Sequence, residues 1–476
     1  MDFIKLTTCS LLLTLFVQQA CSVSSQEKMH GFLTRLENRK LADVPIANSD
    51  VAVKQSGKVF YPIGYGADPT GVKDSGEALT NLLNDAFQAQ QGHELMAGVK
   101  DLGGVIVDLQ GGNYRTCKPL RLPASGGGNL VIKGGTLRAS DKFPMDRYLI
   151  ELLSPDKNGV VYEGITFRDV LFDSGYHGGG LMIVNSARIR ITDCLFIHFT
   201  SQGILVKGGH EVYISDSFLG QKPNVGGDPD ERHFTGTAIE LHSNDNAITD
   251  VAIFSAAIGV LLYGQANILT NVHTYNKATY WGGVGIFVKK GASVTRISNC
   301  YLDYNNLYLE DPNQVHCTNG FFLGGGRVLL KAIEGKITGL NVLSNMFSGW
   351  GTNDWPEIIQ VDGTFNHIDQ VVIDHNNVNG MTYKSTVGKL TVSSYGTKWI
   401  ADFSRFLVFP NRINHLQYSI YVKEKPEGFF QHAVTNVTNN VVVVETDKPI
   451  SASVSVFVDQ FSMLGESNFL SSCKED

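Results

Sequence analysis

The sequence has little charge and little proline, and it has no excess of positive charge. Charged residues make up 18% of the 476 residues, proline occurs 14 times, and the formal net charge is −7. A chain without a global basic field attracts polyanions poorly, so no nucleic-acid partner is expected. An acidic substrate would have to be held by a local basic patch.

Motifs for metal, phosphate and acyl-transfer chemistry are also missing. The cysteines do not show the CxxC or Cys/His spacing of a zinc site. The sequence has no GxSxG, HExxH or calcium-loop pattern, and the GGG runs at 178–180 and 324–326 lack a Rossmann or Walker framework. We therefore predict no cofactor and no resident metal.

Long apolar runs are absent after the N-terminus. Lys5 precedes an apolar run that extends to Val17, and Ala20 and Ser22 form a small-x-small cleavage site. This run is short for a bilayer span, so a cleaved secretory signal is favoured over a short anchor. We predict a signal peptide over 1–22, a lead-in segment over 23–57, a secreted protein, and no membrane attachment after cleavage.

Secretion affects how the cysteines and one asparagine are interpreted. An oxidising compartment allows one or two disulfides among the five cysteines after the signal, and Cys300 with Cys317 is the first pair to expect. Asn436-Val437-Thr438 is the only N-glycosylation sequon, and it predicts an exposed, glycosylated Asn436.

What the sequence does contain is a repeat. A phrase of the form aliphatic-(Ser/Thr)-(Asp/Asn)-x-x-apolar begins at positions 191, 214, 248, 269, 297 and 343, with looser copies at 167 and 373. Most copies are between 21 and 30 residues apart, with strand-like sequence and no helical pattern between them. This period predicts one coil of a solenoid per repeat. We predict an all-β, right-handed parallel β-helix over 58–380.

The two ends of the solenoid have their own patterns. An amphipathic helix is predicted near the start, with Asp74 as N-cap, Glu77 three residues later, and an apolar stripe formed by Leu79, Leu82, Leu83, Ala86 and Phe87. Such a helix can cover the first coil. After about Met381 the repeat gives way to long alternating strands, which predict a small C-terminal β-sandwich-like unit over 381–476. Because both ends are covered, we expect a monomer.

Strand alternation divides the side chains between the core and the surface. Ile204, Val206, Ile239, Leu241, Val260, Leu262, Ile286 and Val288 fall on one face. The other face carries Lys207, Glu240, His242, Tyr263 and Lys289. Stacked coils would align these into a track in which Lys binds carboxylates and Tyr packs on a sugar. Ordinary solvated side chains are the alternative interpretation.

Four carboxylates are the candidates for glycosidic hydrolysis, which needs one acid and one base or nucleophile. Glu240 lies on the outward face and Asp245 in the following turn. Asp228 and Asp230 belong to a Gly-, Pro- and charge-rich insertion that would form a wall beside the track or simply a flexible loop. Arg232, His210 and His242 are predicted to bind substrate or to tune a neighbouring carboxyl.

The polar residue inside each repeat phrase has a different interpretation. The residues concerned are Asp193, Asp216, Asp250, Asn271, Asn299 and Asn345. Because they occupy the same place in every phrase, a ladder of hydrogen-bonded side chains along the stack is favoured over catalysis.

Two segments carry a family resemblance. FYPIGYGADPTGVKDSGEAL resembles the N-terminal signature of the pectin-degrading β-helix superfamily. TAIELHSNDNAITDVAIFSAAIGVLLYGQ and its continuation to about residue 345 resemble the plant QUARTET-type polygalacturonases. The resemblance implies a secreted endo-acting hydrolase of glycoside hydrolase family 28, with an inverting mechanism, that cuts demethylated pectin in the cell wall during pollen tetrad separation.

The usual motifs of that family are nevertheless absent. By coil position, Asn-Thr-Asp would fall near His177-Gly178-Gly179, Asp-Asp near Ser201-Gln202, and Gly-His-Gly near Thr235-Gly236-Thr237. None of these positions has a carboxylate, so no catalytic residue is carried over. Two other functions stay open: a calcium-dependent pectate lyase using Asp228, Asp230 and Asp245 as ligands, and a catalytically silent wall-polysaccharide-binding β-helix.

Overall fold

The structure is a computed structural model that describes residues 53–89, 92–154, 159–222, 234–275, 283–349, 356–423 and 428–462. The predicted signal peptide and nearly all of the lead-in segment lie outside these residues. In the described part, no helix is long and apolar enough to cross a membrane.

Short strands dominate the chain. Its first half contains β1 Gln55–Ser56, β2 Val59–Phe60, a 3-10 turn Pro62–Tyr65, helix α1 Gly76–Gln88, β3 Glu94–Met96, β4 Val99–Asp108, β5 Asn113–Thr116, β6 Leu120–Arg121, β7 Gly127–Ala139, β8 Tyr148–Leu152, β9 Tyr162–Asp173, β10 Gly179–Ala187, β11 Arg190–Thr192, β12 Leu195–Ile197, β13 Gln202–His210, β14 Tyr213–Ser215 and β15 Phe218–Gly220.

The second half continues with β16 Thr237–Leu241, β17 Ala247–Thr249, β18 Ala252–Phe254, β19 Ile258–Leu262, β20 Ile268–Thr270, β21 His273–Tyr275, β22 Val284–Val288, β23 Thr295–Ser298, β24 Tyr301–Asp303, β25 Asn306–Glu310, β26 Asn313–Thr318, β27 Phe321–Leu323, β28 Val328–Lys331, β29 Lys336–Leu343, β30 Met346–Ser348, β31 Ile359–Asp362, β32 His367–Asp369, β33 Val372–Asp374, β34 Asn377–Asn379, β35 Val387–Asp402, β36 His415–Val422, β37 His432–Thr438 and β38 Val441–Asp459.

The described residues form two compact units. Unit one comprises the described residues within Met1–Pro223 and Asp250–Phe254. Unit two comprises the described residues within Asn224–Thr249 and Ser255–Asp476. In both units each coil supplies three strands, and each strand pairs in parallel with the equivalent strand of the neighbouring coil. We call the resulting sheets A, B and C in the order in which a coil enters them. The chain is a parallel β-helix, as its repeat predicts.

In unit two, sheet A consists of β16, β19, β22, β25, β28 and β31. Sheet B contains β17, β20, β23, β26, β29 and β33, and sheet C contains β21, β24, β27, β30 and β34. In unit one the corresponding sheets are built from β4 to β15, with β18 as the last strand of sheet C.

Aliphatic columns form the core because strand alternation directs every second side chain inward. In sheet A of unit two, one column runs in register through Ile239, Val260, Ile286, Leu307, Val328 and Ile359, and none of these residues is more than 1% exposed. The inward set predicted from the sequence is buried throughout. Aromatic residues add stacks: the rings of Phe172 and Phe196 lie 4.4 Å apart in unit one, and those of Phe322 and Phe347 lie 4.4 Å apart in unit two.

The repeat phrase corresponds to the turn from sheet B to sheet C. Asp193, Asp216, Asp250, Asn271 and Asn299 all have left-handed backbones, with φ between 49° and 55°. Asp and Asn tolerate this conformation better than other non-glycine residues. The left-handed turn therefore explains why Asp or Asn recurs at this place in the phrase. The sequence prediction, a ladder of side chains, did not include this reason.

Asn345 differs from the other phrase residues. Ser344 takes the left-handed conformation in its coil, with φ of 57°, and Asn345 is buried one position later. Its Nδ2 donates to Asn376 Oδ1 at 3.1 Å and its Oδ1 accepts from Gly320 N at 2.8 Å. Here the coils are joined by a ladder of buried amides.

Helix α1 packs its apolar stripe against the first strands of unit one, as predicted. Leu79, Leu82 and Phe87 are at most 3% exposed, and the Phe87 ring meets Tyr162 edge-on at 6.4 Å. The predicted N-cap was wrong: Ser75 occupies that position, and no side chain caps the helix. Asp74 Oδ1 instead accepts from Cys117 N at 2.7 Å.

The C-terminal unit is a single four-stranded antiparallel sheet within unit two. The long strand β38 pairs with β35 along one edge and with β37 and then β36 along the other. A register shift after Gly396 bends the sheet, so that Trp399 Nε1 reaches Ala452 O at 3.3 Å and Trp399 is buried. The sequence predicted a sandwich of strands here; the structure shows one bent sheet that encloses a core of its own.

The predicted disulfide between Cys300 and Cys317 was wrong. Cys117, Cys194, Cys300 and Cys317 are all free thiols, and the last three are buried. Burial raises the pKa of Cys300 and of Cys194 to about 12. Cys194, Cys300 and Cys317 fill core positions, where cysteine behaves as a small apolar residue.

Candidate active site

The outward side of sheet A in unit two carries two rows of side chains. The first, the apolar row, starts at Glu240 and continues in register through Leu261, Phe287, Tyr308, Leu329 and Gln360. The second, the ionic row, lies two residues further along each strand and comprises His242, Tyr263, Lys289, Glu310, Lys331 and Asp362. The outward track predicted from the sequence is therefore present in this unit.

Glu240 is the only carboxylate in the apolar row. Its side chain is 14% exposed, and His242 Nε2 donates to its Oε1 at 2.6 Å. The His242 ring in turn stacks on Tyr263, with ring centroids 4.1 Å apart and planes at 9°. The carboxylate, the imidazole and the phenol ring thus hold one another in fixed orientations across two coils.

Further along the ionic row, a carboxylate lies between two cations. Glu310 Oε1 is 2.8 Å from Lys289 Nζ and 3.9 Å from Lys331 Nζ. Lys289 Nζ also lies 4.4 Å from the ring centroid of Phe287. The two ammonium groups remain partly exposed, at 26% and 44%, so they can meet a ligand carboxylate as well as Glu310.

Aromatic rings form the floor beside these cations. The rings of Phe287 and Tyr308 lie 5.5 Å apart in adjacent coils, and each is half-buried. Aromatic faces next to cationic side chains suit a ligand with C–H faces and carboxylates, which is the chemistry of a uronic acid chain.

Asp245 does not lie in either row. It occupies the corner between sheets A and B, with φ of 59°, and its backbone N donates to Gln265 O at 3.1 Å. Ala266, in the equivalent corner of the next coil, has φ of 55°. Aspartate tolerates the left-handed backbone of this corner better than most residues, which accounts for its presence there. Its side chain is exposed and is therefore free to take a chemical role as well.

Two predicted binding residues lie in unit one. Lys207 is exposed at the end of the first stretch of β13, in register with Val184 of the preceding coil. His210 lies at the corner toward sheet B, where its Nδ1 is 3.3 Å from Glu211 Oε2. His210 is therefore placed at a corner and does not point along the outward side of sheet A.

Three predicted residues, Asp228, Asp230 and Arg232, lie outside the described residues. Asn436 is described: it is exposed on β37, and Thr438 Oγ1 donates to its Oδ1 at 3.1 Å. The sequon is thus accessible to a glycosyl transfer enzyme.

A second carboxylate-histidine pair, which the sequence reasoning missed, lies at the corner between sheets C and A of unit one. His198 Nδ1 donates to Asp173 Oδ1 at 2.7 Å, and Arg138 Nε donates to Asp173 Oδ2 at 3.0 Å. Burial acts to raise the pKa of Asp173, but the hydrogen bond and charge of His198, together with Arg138, lower it below its usual value. The Tyr176 ring lies 4.7 Å from the imidazole.

Other charged residues were also missed, although the sequence contains a signal for each. Glu310 and Lys331 alternate with the inward Leu309 and Leu330, so the same pattern that found Lys289 would have found them. Asp173 and His198 are 25 residues apart, about one coil, which places them in neighbouring coils.

The comparisons with known proteins agree with this fold. The chain is 49% identical over 410 residues to polygalacturonase QRT3 of Arabidopsis thaliana, covering 85% of this chain and 84% of that protein. The chain belongs to the QUARTET-type polygalacturonase family. No protein-family model matches the sequence.

Among solved structures, one superposes on this polygalacturonase with a TM-score above 0.5 and resembles it in fold alone. The endo-xylogalacturonan hydrolase of Aspergillus tubingensis superposes with a TM-score of 0.51 at 13% identity, over 67% of this chain and 92% of that one. The surface adhesin PfbA of Streptococcus pneumoniae gives a TM-score of 0.47 at 14% identity, over 67% and 84%.

The positions that correspond to the usual polygalacturonase motifs all precede strands of sheet A. His177, Gly178 and Gly179 lead into β10, Ser201 and Gln202 into β13, and Thr235 to Thr237 into β16. In unit one the carboxylate nearest to these segments in sequence is Asp173, which His198 and Arg138 already hold. The segments 177–179, 201–202 and 235–237 themselves contain no carboxylate.

Proposed function

We propose that this protein hydrolyses α-1,4-galacturonosyl bonds of demethylated pectin, with Glu240 as one of its two catalytic carboxyl groups. The observation that carries the activity is the 49% identity to a polygalacturonase over 85% of the chain. The observation that favours Glu240 is its position, partly buried and hydrogen-bonded to His242, at the head of an aromatic and cationic surface.

The surface of unit two accounts for the substrate. Galacturonan is a chain of pyranose rings that each carry one carboxylate. Tyr263, Phe287 and Tyr308 offer ring faces for the pyranoses, while Lys289 and Lys331 offer ammonium groups for the carboxylates. The local cations are what a chain with a net charge of −7 needs in order to hold a polyanion.

The reaction requires two carboxyl groups in different protonation states. One donates its proton to the glycosidic oxygen as the bond from that oxygen to the anomeric carbon breaks. The other takes a proton from the water that attacks the anomeric carbon. His242 hydrogen-bonds to Glu240 and so holds its carboxyl group in one orientation.

The partner of Glu240 is not Glu310. Three strand spacings of about 4.8 Å separate their coils, about 14 Å in all, whereas an inverting pair lies about 6.5–9.5 Å apart. Glu310 is also neutralised by two lysines. We assign the second carboxyl to Asp245 or to the inserted segment with Asp228 and Asp230, which precedes β16 in the sequence.

The setting of this activity is inferred from the sequence and the family. We propose that the protein is secreted through its N-terminal signal, is glycosylated at Asn436 and acts as a monomer in the plant cell wall, where pectin breakdown separates pollen tetrads. The predicted boundary near residue 380 fits the change from the parallel strand β34 to the antiparallel strand β35.

A silent pectin-binding protein is the second candidate, favoured by the missing carboxylates at 177–179, 201–202 and 235–237. It would use the same lysines and aromatic rings without turnover. Within the described ranges, no group of three His, Cys, Asp or Glu side chains is arranged to hold a metal ion, but the ligands proposed for a calcium-dependent lyase include Asp228 and Asp230, which are not described.

One assay separates these functions. The purified secreted protein is incubated with polygalacturonic acid, with chelator or with Ca²⁺, while reducing ends and ultraviolet absorbance are followed together. New reducing ends without absorbance, unaffected by chelator, are the expected result. Absorbing products that need Ca²⁺ would establish a lyase instead, and retained pectin binding without any product would establish the silent binder.

A further inference from the structure

A cavity of about 400 Å³ lies on the outward side of sheet B in unit two. This volume falls within the range of small-molecule sites. The rows that contain Glu240 and Lys289 belong to sheet A of the same unit, so the cavity lies on a different face of the solenoid. Nothing in the proposed hydrolysis uses it.

A repeated backbone turn shapes this cavity. Val294, Gln314, Gly339 and Gln370 all line it and all have left-handed backbones, with φ of 55°, 52°, 66° and 51°. Val294, Gln314 and Gly339 each lie two residues before Arg296, His316 and Asn341, which pair in register across sheet B, and Gln370 lies two residues before the equivalent position of the next coil. A kink at the same place in four successive coils makes the corner concave.

Val294 is the unusual member of this set. A β-branched residue strongly disfavours the left-handed conformation, and the Val294 side chain is 51% exposed, so burial of that side chain does not offset the strain. Backbone strain of this kind is typical of functional sites. Here it is found in the wall of the cavity.

The floor of the cavity is a row of polar side chains. Arg296, His316 and Asn341 are paired in register across three coils. Asn341 Nδ2 donates to His316 Nε2 at 3.0 Å, so the ring proton of His316 lies on Nδ1, which is a donor. Burial and the nearby Arg296 lower the pKa of His316, so the ring is neutral.

The cavity is positively charged and has one apolar wall. No carboxylate is among its lining residues, and among the described residues Arg296 has no ion-pair partner. The ring of Phe461 forms part of the wall, and its backbone is fixed by Asp459 Oδ1 at 2.8 Å and Asn414 Nδ2 at 3.1 Å. An arginine suits a carboxylate, amides suit hydroxyl groups, and a phenyl ring suits a sugar face.

We propose that this cavity is a second, non-catalytic binding site for one uronic acid residue. Arg296 binds the carboxylate, the amides of Gln314 and Asn341 bind hydroxyl groups, and Phe461 packs against the pyranose ring. The site would hold an uncleaved part of an acidic polysaccharide on the far side of the corner from sheet A, which increases the residence time of the enzyme on its polymer.

The test uses free galacturonate, which contains no bond to cleave, so the result does not depend on hydrolysis. Calorimetric titrations compare galacturonate with galactose on the full-length protein carrying Lys289→Gln and Lys331→Gln, which removes the two lysines of the ionic row. We expect galacturonate to bind and galactose to bind at least tenfold more weakly, because only galacturonate carries the carboxylate. Adding Arg296→Gln or, separately, Phe461→Ala should weaken galacturonate binding at least tenfold.

Arg405→Gln is the matched control, since Arg405 is an exposed arginine outside the cavity lining. It should leave binding unchanged, and thermal melts should show that all variants are folded. Equal binding of galactose and galacturonate, or unchanged binding after both Arg296→Gln and Phe461→Ala, would overturn the proposal. Failure of the hydrolysis assay alone would leave this result intact, because the two measurements share neither substrate nor residues.

Discussion

The Oε1 atom of Glu240, on the outward side of β16, lies 2.6 Å from Nε2 of His242, which directly follows that strand. Glu240 and His242 are two residues apart in extended chain, so their side chains point to the same side of sheet A. Tyr263 of the next coil holds the imidazole in place by stacking on it. These contacts hold the Glu240 carboxylate in a fixed orientation beside the aromatic and cationic surface of unit two.

Glu240→Gln should abolish most turnover of polygalacturonic acid. The amide keeps the shape and a hydrogen bond to His242 but cannot carry or release a proton, and loss of a general acid or base costs about 10²–10⁴-fold. Initial rates of reducing-end formation measure this. Glu334→Gln is the control, because Glu334 is an exposed carboxylate paired with Lys290 outside both rows, and its rate should be unchanged. Equal rates in the two variants would remove Glu240 from the mechanism.

Replacing Lys289 and Lys331 together by Gln should raise KM for polygalacturonate and leave kcat nearly unchanged. Each exposed ion pair is worth about 0.2–1 kcal/mol, so the double change predicts a rise in KM of about 2- to 30-fold. The effect should shrink as salt is added, because screening weakens the same contacts. Lys336→Gln, at an exposed lysine of sheet B, serves as control. A fall in kcat at constant KM would contradict a binding role.

Asp173→Asn should lower the free energy of unfolding near neutral pH by about 1.5–3 kcal/mol, the value of a hydrogen bond to a charged group. The pKa of Asp173 is depressed in the folded protein, so its contribution is fully present above the unfolded pKa of about 3.9. It is lost as the pH falls through the lower folded pKa. Denaturant unfolding at several pH values should therefore show the wild type and the variant converging only in strong acid. A difference that stays constant down to pH 2 would disprove the linkage.

Phe196→Ala should destabilise the protein by about 3–5 kcal/mol. Phe196 is fully buried and stacks on Phe172 at 4.4 Å with planes at 1°, so truncation leaves a cavity between coils. Thermal and denaturant melts measure the loss. Phe429→Ala is the matched control, since the Phe429 side chain is fully exposed and should change stability little.

The buried thiols should resist alkylation until the protein unfolds. Burial raises the pKa of Cys194 and Cys300 to about 12, so almost no thiolate forms in neutral buffer, and the side chains are shielded from reagent. Peptide mapping after alkylation under native conditions should find Cys194, Cys300 and Cys317 unmodified, and after denaturation fully modified. A disulfide between Cys300 and Cys317 would instead protect both from alkylation even after denaturation without reductant.

Much of the fold could be predicted from the sequence because a solenoid repeats local rules. The period of the phrase indicated the coils, the alternation around Ile239 and Leu241 identified the core, and the apolar stripe from Leu79 to Phe87 identified the helix. The predicted disulfide and the predicted N-cap failed for a related reason. Cys300 and Asp74 contact partners that are distant in the sequence. Neither sequence spacing nor local propensity predicts which distant residue, or which of its atoms, a side chain will contact.

The candidate site was only partly predictable. Alternation placed Glu240, His242, Tyr263 and Lys289 on the outward side, but the strand containing Glu310 was overlooked, and with it the carboxylate that neutralises Lys289. Asp245 is a catalytic candidate from the sequence, and the structure adds that its backbone is left-handed at a corner that recurs in the next coil.

The sequence by itself determined the solenoid and the side of each predicted strand that faces the core, because these follow from a period of two within strands and a recurring period between coils. The three strands of each coil appear only in the structure. Only the tertiary structure decided which charges meet. Stacking sets the distance between residues 20 or more positions apart, and so it paired Asp173 with His198, placed Glu310 between two lysines, and gathered Arg296, His316 and Phe461 around one cavity.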